Sequence, residues 1–557
     1  MIKPCRVLAA LSALLAAAAA PLAGGTPAVS RHDVVVYGGT SAGVMAAIQV
    51  AREGKSVVLV EPTAWLGGLS SAGLGFVDAG QPAAVGGLAV EFYHRLWQHY
   101  NSPAAWTWSP FAELEAQHGK TIGETMWLHE PSVALRTFNA MVADGGVTVV
   151  RHERLNRQTG VTKDDAAITR IAMESGRIFE GTVFIDATYE GDLLAAAGVS
   201  YTIGREANSQ YGETMNGIRP MPRRATQFRI DPYLRPGDPT SGLLPRVHAT
   251  LGGEEFAADQ GVQAYCYRMC LTDVPENRVM VGQPAGYDER EYEFFLRYLE
   301  QQHSPAPLEA PFKLSLLPNR KTDSNNNGVV STDYNGMSWD WPEAGYAARD
   351  QIAKAHENWQ RGLIWTVQNH PRVPERFRQH YANWGLAKDE FADNANWPYQ
   401  LYVREARRMV AEVVITEPMA LGLVPPPADS VGLASYAFDS HAIKHYVDPA
   451  SGFVTTDGGL PRPPTPIDPP QPYPISYRAI IPKRGECSNL LVPVCLSATH
   501  VTYGSIRMEP VFMVLGQSAG SAAVLAVEGK VAVQDVPYAA LRQALLDGKQ
   551  ALTWPAP

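Results

Sequence analysis

Residues 33–43 have the sequence DVVVYGGTSAG, and residues 57–61 have the sequence VVLVE. The run 33–37 is rich in β-branched residues and predicts a strand, residues 38–43 predict a small-residue turn, and residues 44–52 predict a helix. Residues 55–60 predict the next strand. Because parallel strands need a crossover connection, this order predicts a β-α-β unit of the Rossmann type within an α/β fold.

The glycine-rich turn consists of Gly38, Gly39, Thr40, Ser41, Ala42 and Gly43. Between a strand and a helix, its bare N–H groups and the helix dipole are suited to hold a pyrophosphate. Thr40 departs from the G-x-G-x-x-G pattern, because it stands where the central glycine is expected. Glu61 ends the second strand, where its carboxylate can accept hydrogen bonds from a ribose. The alternative is a plain glycine turn followed by a surface glutamate.

A second glycine-rich loop, which begins with Gly67, Gly68, Leu69 and Ser70, follows closely after Glu61. A β-α-β unit that binds only NAD has no use for such a loop, so the loop favours FAD. The two motifs together resemble the FAD-dependent oxidoreductase family, sometimes labelled xanthan-lyase-like, whose members join a GGTxAG turn to a glycine-rich loop. In this family Thr40 is the expected residue.

Further segments extend the resemblance over most of the chain: 184–192, 331–333, 338–340, 400–409, 477–485 and 497–522. The resemblance implies that Ala187 and Thr188 lie beside the cofactor. We also expect Gly516, Gln517, Ser518 and Ala519 to bring N–H donors near the N1–O2 edge of the flavin, where negative charge develops on reduction. The alternative for this last group is a small-residue helix packed against a sheet.

Candidate catalytic residues lie just before that helix. His500 is the first choice for proton transfer, since its ordinary pKa is near neutral, and Tyr503 is a further acid or base. Arg507 is suited to hold a carboxylate or a developing oxyanion. A core histidine and a structural Arg507–Glu509 network are the alternatives. His441 is a second proton-transfer candidate.

The sequence predicts no metal site. Residues 323–328, DSNNNG, are similar to the start of a calcium loop, but Tyr334 stands where the bidentate glutamate is required, so an Asn/Asp turn that faces the substrate is favoured. Two states remain open for the four cysteines after residue 5: they form two disulfides, or they are four buried thiols. These cysteines are Cys266, Cys270, Cys487 and Cys495.

The chain divides into four predicted parts: a signal peptide at 1–28, a first part of the FAD-binding domain at 29–200, an inserted mixed α+β substrate or cap domain at 201–430, and the C-terminal part of a discontinuous FAD-binding domain at 431–557. Lys3 and Arg6 precede an apolar run at 7–20, which is typical of a secretory signal. We therefore expect export to the periplasm or the medium, and no stable membrane span.

These patterns predict an FAD-dependent oxidoreductase that transfers a hydride between flavin and a small organic substrate, with an electron acceptor that the sequence does not identify. Trp339, Trp341 and Trp397 suggest stacking on a sugar, although such residues often build cores. The formal net charge of −9 gives no basic field for nucleic acid. The alternatives are an NAD-dependent dehydrogenase and a non-redox polysaccharide lyase or glycan-binding protein.

Overall fold

The computed structural model describes residues 28–118, 123–221, 228–302, 311–460 and 468–555. The predicted signal peptide lies outside these residues, except for its last position. The strands are β1 (Val29–Tyr37), β2 (Val57–Glu61), β3 (Thr148–Arg151), β4 (Val161–Asp164), β5 (Ala167–Ala172), β6 (Ile178–Asp186), β7 (Tyr201–Thr202), β8 (Val247–His248), β9 (Leu271–Thr272), β10 (Arg278–Val279), β11 (Ser315–Leu317), β12 (Lys321–Asp323), β13 (Gly385–Ala387), β14 (Arg408–Met409), β15 (Ser430–Ala434), β16 (Ala442–Val447), β17 (Val454–Gly458), β18 (Tyr473–Ser476) and β19 (Leu490–Leu491).

The helices are α1 (Ser41–Arg52), α2 (Gly87–Tyr100), α3 (Phe111–His118), α4 (Pro131–Asp144), α5 (Asp192–Ala196), α6 (Asn208–Tyr211), α7 (Glu293–Glu300), α8 (Tyr346–Asn369), α9 (Glu375–Tyr381), α10 (Glu417–Ala420), α11 (His500–Ile506), α12 (Glu509–Gly529) and α13 (Tyr538–Asp547).

The main sheet confirms the predicted β-α-β unit. Its parallel strands lie in the order β3-β2-β1-β6, with Val34 of β1 between Val57 and Val183. The apolar runs of β1 and β2 are buried, as expected for parallel strands that are covered on both faces. β5 and β4 extend β6 in antiparallel fashion. The result is a mixed sheet with a Rossmann-type core.

Both ends of the chain build this sheet. β19 pairs in parallel with β6, and α12 packs directly on α1. A Cβ atom at Gly516 would lie 2.1 Å from the Ala42 carbonyl oxygen, so the two helix backbones are in close contact. By length and composition α12 would also pass for a membrane-spanning helix, but most of it is buried inside the protein.

The residues between the two ends form other sheets. An antiparallel sheet has the order β10-β13-β9-β12-β11, and a smaller one has the order β17-β16-β8. In the smaller sheet His445 of β16 pairs with Val247 of β8, so the predicted boundary at 430 does not coincide with a change of sheet. The chain returns to the parallel sheet only at β19.

The four cysteines of the described residues are free thiols. Cys266, Cys270, Cys487 and Cys495 are all buried, and burial raises the pKa of each. Of the two alternatives left open by the sequence, the structure has the buried thiols.

Candidate active site

Three of the glycine-containing segments meet at the carboxyl end of β1. The Gly67 N–H donates to the Gly39 carbonyl oxygen at 2.8 Å, and the Thr40 hydroxyl donates to the Ala187 carbonyl oxygen at 2.7 Å. Gly68, Leu69 and Ser70 follow in a short 3-10 turn. The structure therefore brings together the first turn, the second loop and the Ala187–Thr188 segment, as the sequence analysis expected.

The first turn leaves no room for a side chain at Gly38 or Gly43. Gly38 has a φ of 99°, and a Cβ atom there would lie 2.9 Å from the backbone of Ala187 and Thr188. A Cβ atom at Gly43 would lie 1.9 Å from the Gly38 oxygen. The start of α1 is therefore bare backbone with the positive end of the helix dipole, which is the arrangement that binds phosphate.

Thr40 fits this turn without strain. Its φ of −62° suits any residue, and its hydroxyl accepts a hydrogen bond from the Gly43 N–H at 3.3 Å, so that it caps α1. This explains why the chain tolerates a threonine where the generic pattern has glycine.

Glu61 lies beside the same turn. Its carboxylate accepts hydrogen bonds from the Gly39 N–H at 2.6 Å and from the Thr63 N–H at 2.7 Å. Only 7% of Glu61 is exposed, and burial raises the pKa of its carboxyl group. The alternative of a surface glutamate is therefore wrong, and Glu61 also holds the turn in shape.

Glu509 completes the arrangement from the start of α12. It accepts hydrogen bonds from the Tyr189 hydroxyl at 2.7 Å and from the Ser70 hydroxyl at 3.3 Å, and the Tyr189 oxygen accepts the Leu69 N–H. Burial raises the pKa of Glu509 to about 7. Pro510, the second residue of α12, is the sequence signal that marks this helix start and therefore the position of Glu509.

The structure gives the group 516–519 a packing role. These residues lie in the second and third turns of α12, where N–H groups are used inside the helix, and only the first turn has free donors. Gly516 contacts the backbone of Ala42, Gln517 accepts the Leu88 N–H at 2.8 Å, and Ser518 donates to the Val431 oxygen at 2.6 Å. Ala519 is fully buried. These contacts are those of the alternative, a small-residue helix packed against its neighbours, and the flavin contact of this group stays a prediction.

A cavity of about 770 Å³ lies next to these segments. Its wall includes Phe76 and Asp78, which follow the second glycine loop, the turn 325–327, and residues 436–442. The Asn/Asp turn therefore faces the cavity. Asp323 does not, because it forms a buried ion pair with Arg268 at 2.6 Å. Among the described residues, no group of three His, Cys, Asp or Glu side chains is placed to hold a metal ion.

The tryptophans expected to stack on a sugar pack elsewhere. Trp341 contacts Tyr265, Trp397 contacts Tyr267, and Trp339 stacks on His248. These contacts belong to the core and its margin, which was the alternative for these residues.

His441 lies on the cavity wall between two carboxylates. Its Nδ1 is 2.7 Å from Asp333 and its Nε2 is 3.4 Å from Asp439. Burial alone would raise the pKa of both acids, but Arg404 and His441 lower that of Asp333, and His441 and Arg507 lower that of Asp439. Both carboxylates are therefore ionised around the imidazole.

The other predicted catalytic residues lie behind this wall. Arg507 donates to Asp439 at 2.7 Å and to the Tyr402 hydroxyl at 2.9 Å, so its guanidinium is already paired and is not a free anchor for substrate charge. Tyr503 is buried and donates to the Val494 oxygen. His500 contacts the cavity wall through the Ser440 hydroxyl, 3.0 Å from its Nε2.

The residues described above fall within a single match to a known protein family. The chain matches the family described as FAD dependent oxidoreductase over residues 33–545. The chain belongs to this family. FAD is therefore its cofactor, and the residues fit it, because the turn 38–43 presents backbone N–H groups at the start of α1 and Glu61 ends β2 beside that turn.

Comparison with other proteins adds little to this assignment. No curated protein matches the chain. The similar solved structures include OxyS anhydrotetracycline hydroxylase from Streptomyces rimosus (16% identity, 32% of this chain, 36% of that chain), L-proline dehydrogenase from P. horikoshii (18%, 32%, 59%) and L-amino acid deaminase from Proteus vulgaris (16%, 33%, 55%), each with a TM-score of 0.22. The chain thus matches only about a third to three fifths of the length of each structure. Because the TM-scores are low, we draw no conclusion about this chain from these structures.

Proposed function

We propose that this FAD-dependent oxidoreductase transfers a hydride between its flavin and a small polyhydroxylated molecule, of the carbohydrate class, in the 770 Å³ cavity. The observation that carries the proposal is His441, which lies on the cavity wall between the ionised carboxylates of Asp333 and Asp439. A hydroxyl group that is oxidised to a carbonyl must lose a proton as well as a hydride, and a wall imidazole is suited to take it.

Two connections support this cavity as the substrate site. Phe76 and Asp78 continue the second glycine loop, and a Cβ atom at Gly73 of that loop would lie 1.9 Å from the oxygen of Arg268, which lines the cavity. Arg507, which holds the wall residues Asp439 and Tyr402, precedes Glu509 by two positions. The cavity and the cofactor segments are thus in direct contact.

The amide and hydroxyl groups of the wall are suited to bind the hydroxyl groups of a substrate, although the exposed Lys313 also lines the cavity. Asn325, Asn326 and Asn327 present amides, which both donate and accept hydrogen bonds. The carboxyl group of Asp78 accepts the Tyr436 hydroxyl at 2.9 Å, and burial raises its pKa. The Arg268 guanidinium is neutralised by Asp323.

Bound FAD supplies a two-electron carrier that accepts or returns a hydride. With its Nδ1–H donated to Asp333, the neutral His441 ring accepts the hydroxyl proton at Nε2 when the alcohol becomes a carbonyl, and returns it from Nε2 in the reverse direction. Asp333 and Asp439 hold the ring and stabilise the imidazolium that forms. Arg404 and Arg507 keep these two acids ionised.

The test is anaerobic reduction of the flavin by a panel of aldoses, alditols and uronic acids. The loss of flavin absorbance measures the rate of reduction. We expect His441→Asn to retain FAD and to slow reduction by roughly 10²–10⁴-fold, the usual contribution of a general acid or base. The matched control is His356→Asn, which changes a buried histidine that contacts Ser338 and the Ile352 oxygen. Equal rates in His441→Asn and the parent would remove His441 from the mechanism, and failure of every polyol to bleach the flavin would remove the substrate class.

The proposal also assigns the substrate-binding part of the chain and its export. We propose that 201–430, together with 431–460 and Asp468, supplies the substrate-binding part, since most of the cavity wall comes from described residues of these segments. Export, as the N-terminal 1–28 segment predicts, is tested by the mass and the N-terminus of the protein recovered from periplasm and medium. Unsaturated products formed without flavin reduction would instead indicate the lyase alternative.

A further inference from the structure

Ser440, His500 and Glu405 form a continuous chain of hydrogen bonds that ends on the cavity wall. The Ser440 hydroxyl is 3.0 Å from Nε2 of His500, and Nδ1 of His500 is 2.8 Å from the Glu405 carboxylate. Ser440 is half-buried and lines the cavity, whereas His500 and Glu405 are buried. A hydroxyl beside an imidazole whose other nitrogen is held by a carboxylate is the arrangement of an activated nucleophile.

From this geometry we propose that the protein has a second activity, the hydrolysis of carboxylic esters, with Ser440 as nucleophile, His500 as general base and Glu405 as the residue that orients His500. The proposal does not depend on the flavin reaction proposed above. It uses a different histidine and different carboxylates on the same cavity wall.

Glu405, the third residue of this hydrogen-bonded series, is held in place by several hydrogen bonds. The Glu405 carboxylate also accepts hydrogen bonds from the Gln263 N–H at 3.0 Å and from Arg408 at 3.1 Å. Burial would raise the pKa of Glu405, but His500 and Arg408 lower it overall, so the carboxylate is ionised. The backbone N–H of His500 is fixed by Glu206 at 3.0 Å. Glu405 can therefore hold the imidazole in one orientation and stabilise it when it becomes protonated.

A donor for the negative charge that develops during acyl transfer is also present. The Gln263 Oε1 accepts the backbone N–H of His441 at 2.9 Å and an Arg507 N–H at 3.3 Å, which fixes the orientation of the amide. Its Nε2 is buried and has no hydrogen-bond partner among the described residues. Gln263 is thus bonded to the peptide that joins Ser440 to His441 and carries a buried, unused N–H donor, to which the proposed reaction assigns the oxyanion.

The proposed reaction balances with water alone. The Ser440 oxygen attacks the acyl carbon while its proton passes to Nε2 of His500. The bond between the acyl carbon and the alcohol oxygen then breaks, and the alcohol leaves with that proton. Water attacks the acyl-serine, His500 takes the proton from the water and returns it to Ser440, and the carboxylic acid departs. No electrons are transferred, and the amide-rich wall favours esters of polyhydroxylated alcohols.

The experiment uses the FAD-containing protein and two probes, a fluorophosphonate and p-nitrophenyl acetate. We expect a phosphonyl adduct on Ser440, located by peptide mass spectrometry, and ester hydrolysis that needs no electron acceptor. Ser440→Ala and His500→Asn are expected to lower hydrolysis by about 10³-fold or more, the effect of removing a member of such a triad. Ser435→Ala, which changes a half-buried serine that does not line the cavity, is the matched control and keeps both adduct and hydrolysis.

Labelling of the unaltered protein avoids any dependence on how the variants fold, and bound flavin is measured in each variant before its rate is used. Absence of a Ser440 adduct, absence of ester hydrolysis, or hydrolysis that survives Ser440→Ala would each overturn the proposal. A loss of flavin reduction by polyols in His441→Asn has no bearing on these outcomes, so the two proposals fail separately.

Discussion

Glu509 offers a prediction whose size follows from the structure. Its carboxyl group is buried among Tyr189, Ser70 and the start of α1, and burial raises its pKa from 4.5 to about 7. The folded state therefore favours the protonated form. This contribution to stability is fully present below about pH 4.5, and it is lost as the pH rises to about 7, because the ionised carboxylate must then stay buried. At about 1.4 kcal/mol per pKa unit, the loss is about 3 kcal/mol.

Glu509→Gln mimics the neutral carboxyl group at every pH. The amide keeps an oxygen for the Tyr189 hydroxyl and places an N–H against the Ser70 oxygen, so packing is preserved. We expect the variant to gain about 3 kcal/mol in free energy of unfolding relative to the parent between about pH 4.5 and pH 8.

Urea unfolding followed by tryptophan fluorescence, on proteins with equal flavin content, measures this difference. If the difference between variant and parent has the same value at both ends of the pH range, Glu509 does not titrate in this range and the argument from burial fails.

Three further substitutions test the cofactor segments and the helix contact. Gly38→Val forces a φ of 99° on a branched residue and places its Cβ 2.9 Å from the Ala187 backbone, so the protein should be purified without flavin; a yellow Gly38→Val protein would contradict the placement of this turn. Glu61→Ala removes an acceptor of two backbone N–H groups and should weaken FAD binding by about 1.5–3 kcal/mol in a titration of apoprotein, and an unchanged Kd would reduce Glu61 to a structural acid. Gly516→Val drives a side chain into the Ala42 oxygen and should lower the free energy of unfolding by about 1–3 kcal/mol or more; unchanged stability would mean that the contact of α12 with α1 is loose.

Much of the cofactor fold was predictable because its signals are local. The bare turn 38–43 must follow a strand and begin a helix to bind phosphate, and Glu61 must end the next strand to lie beside it. The meeting of Gly39, Gly67 and Ala187 follows from the same topology, since the ends of neighbouring parallel strands lie at one edge of the sheet.

The wall of the cavity was not predictable in the same way. Asp333, Glu405 and His441 are far apart in the sequence, and no periodic pattern shows which acid meets which histidine. The packing contacts of 516–519 were not predictable for a related reason, because glycine and alanine serve close helix packing as well as backbone contact with a ligand. The helix boundary at Pro510 was the better guide, since free N–H groups occur only in the first turn.

The side chains of the two adjacent wall residues, Ser440 and His441, lead to different carboxylates. His441 lies between Asp333 and Asp439, whereas Ser440 leads through His500 to Glu405. Each group has its own arginine, since Arg404 holds Asp333 and Arg408 holds Glu405. Because no carboxylate is shared, a proton that arrives on one imidazole is stabilised without neutralising the partner of the other. One cavity can therefore present an acid–base residue for a redox reaction and an activated hydroxyl for acyl transfer at neighbouring positions of the chain.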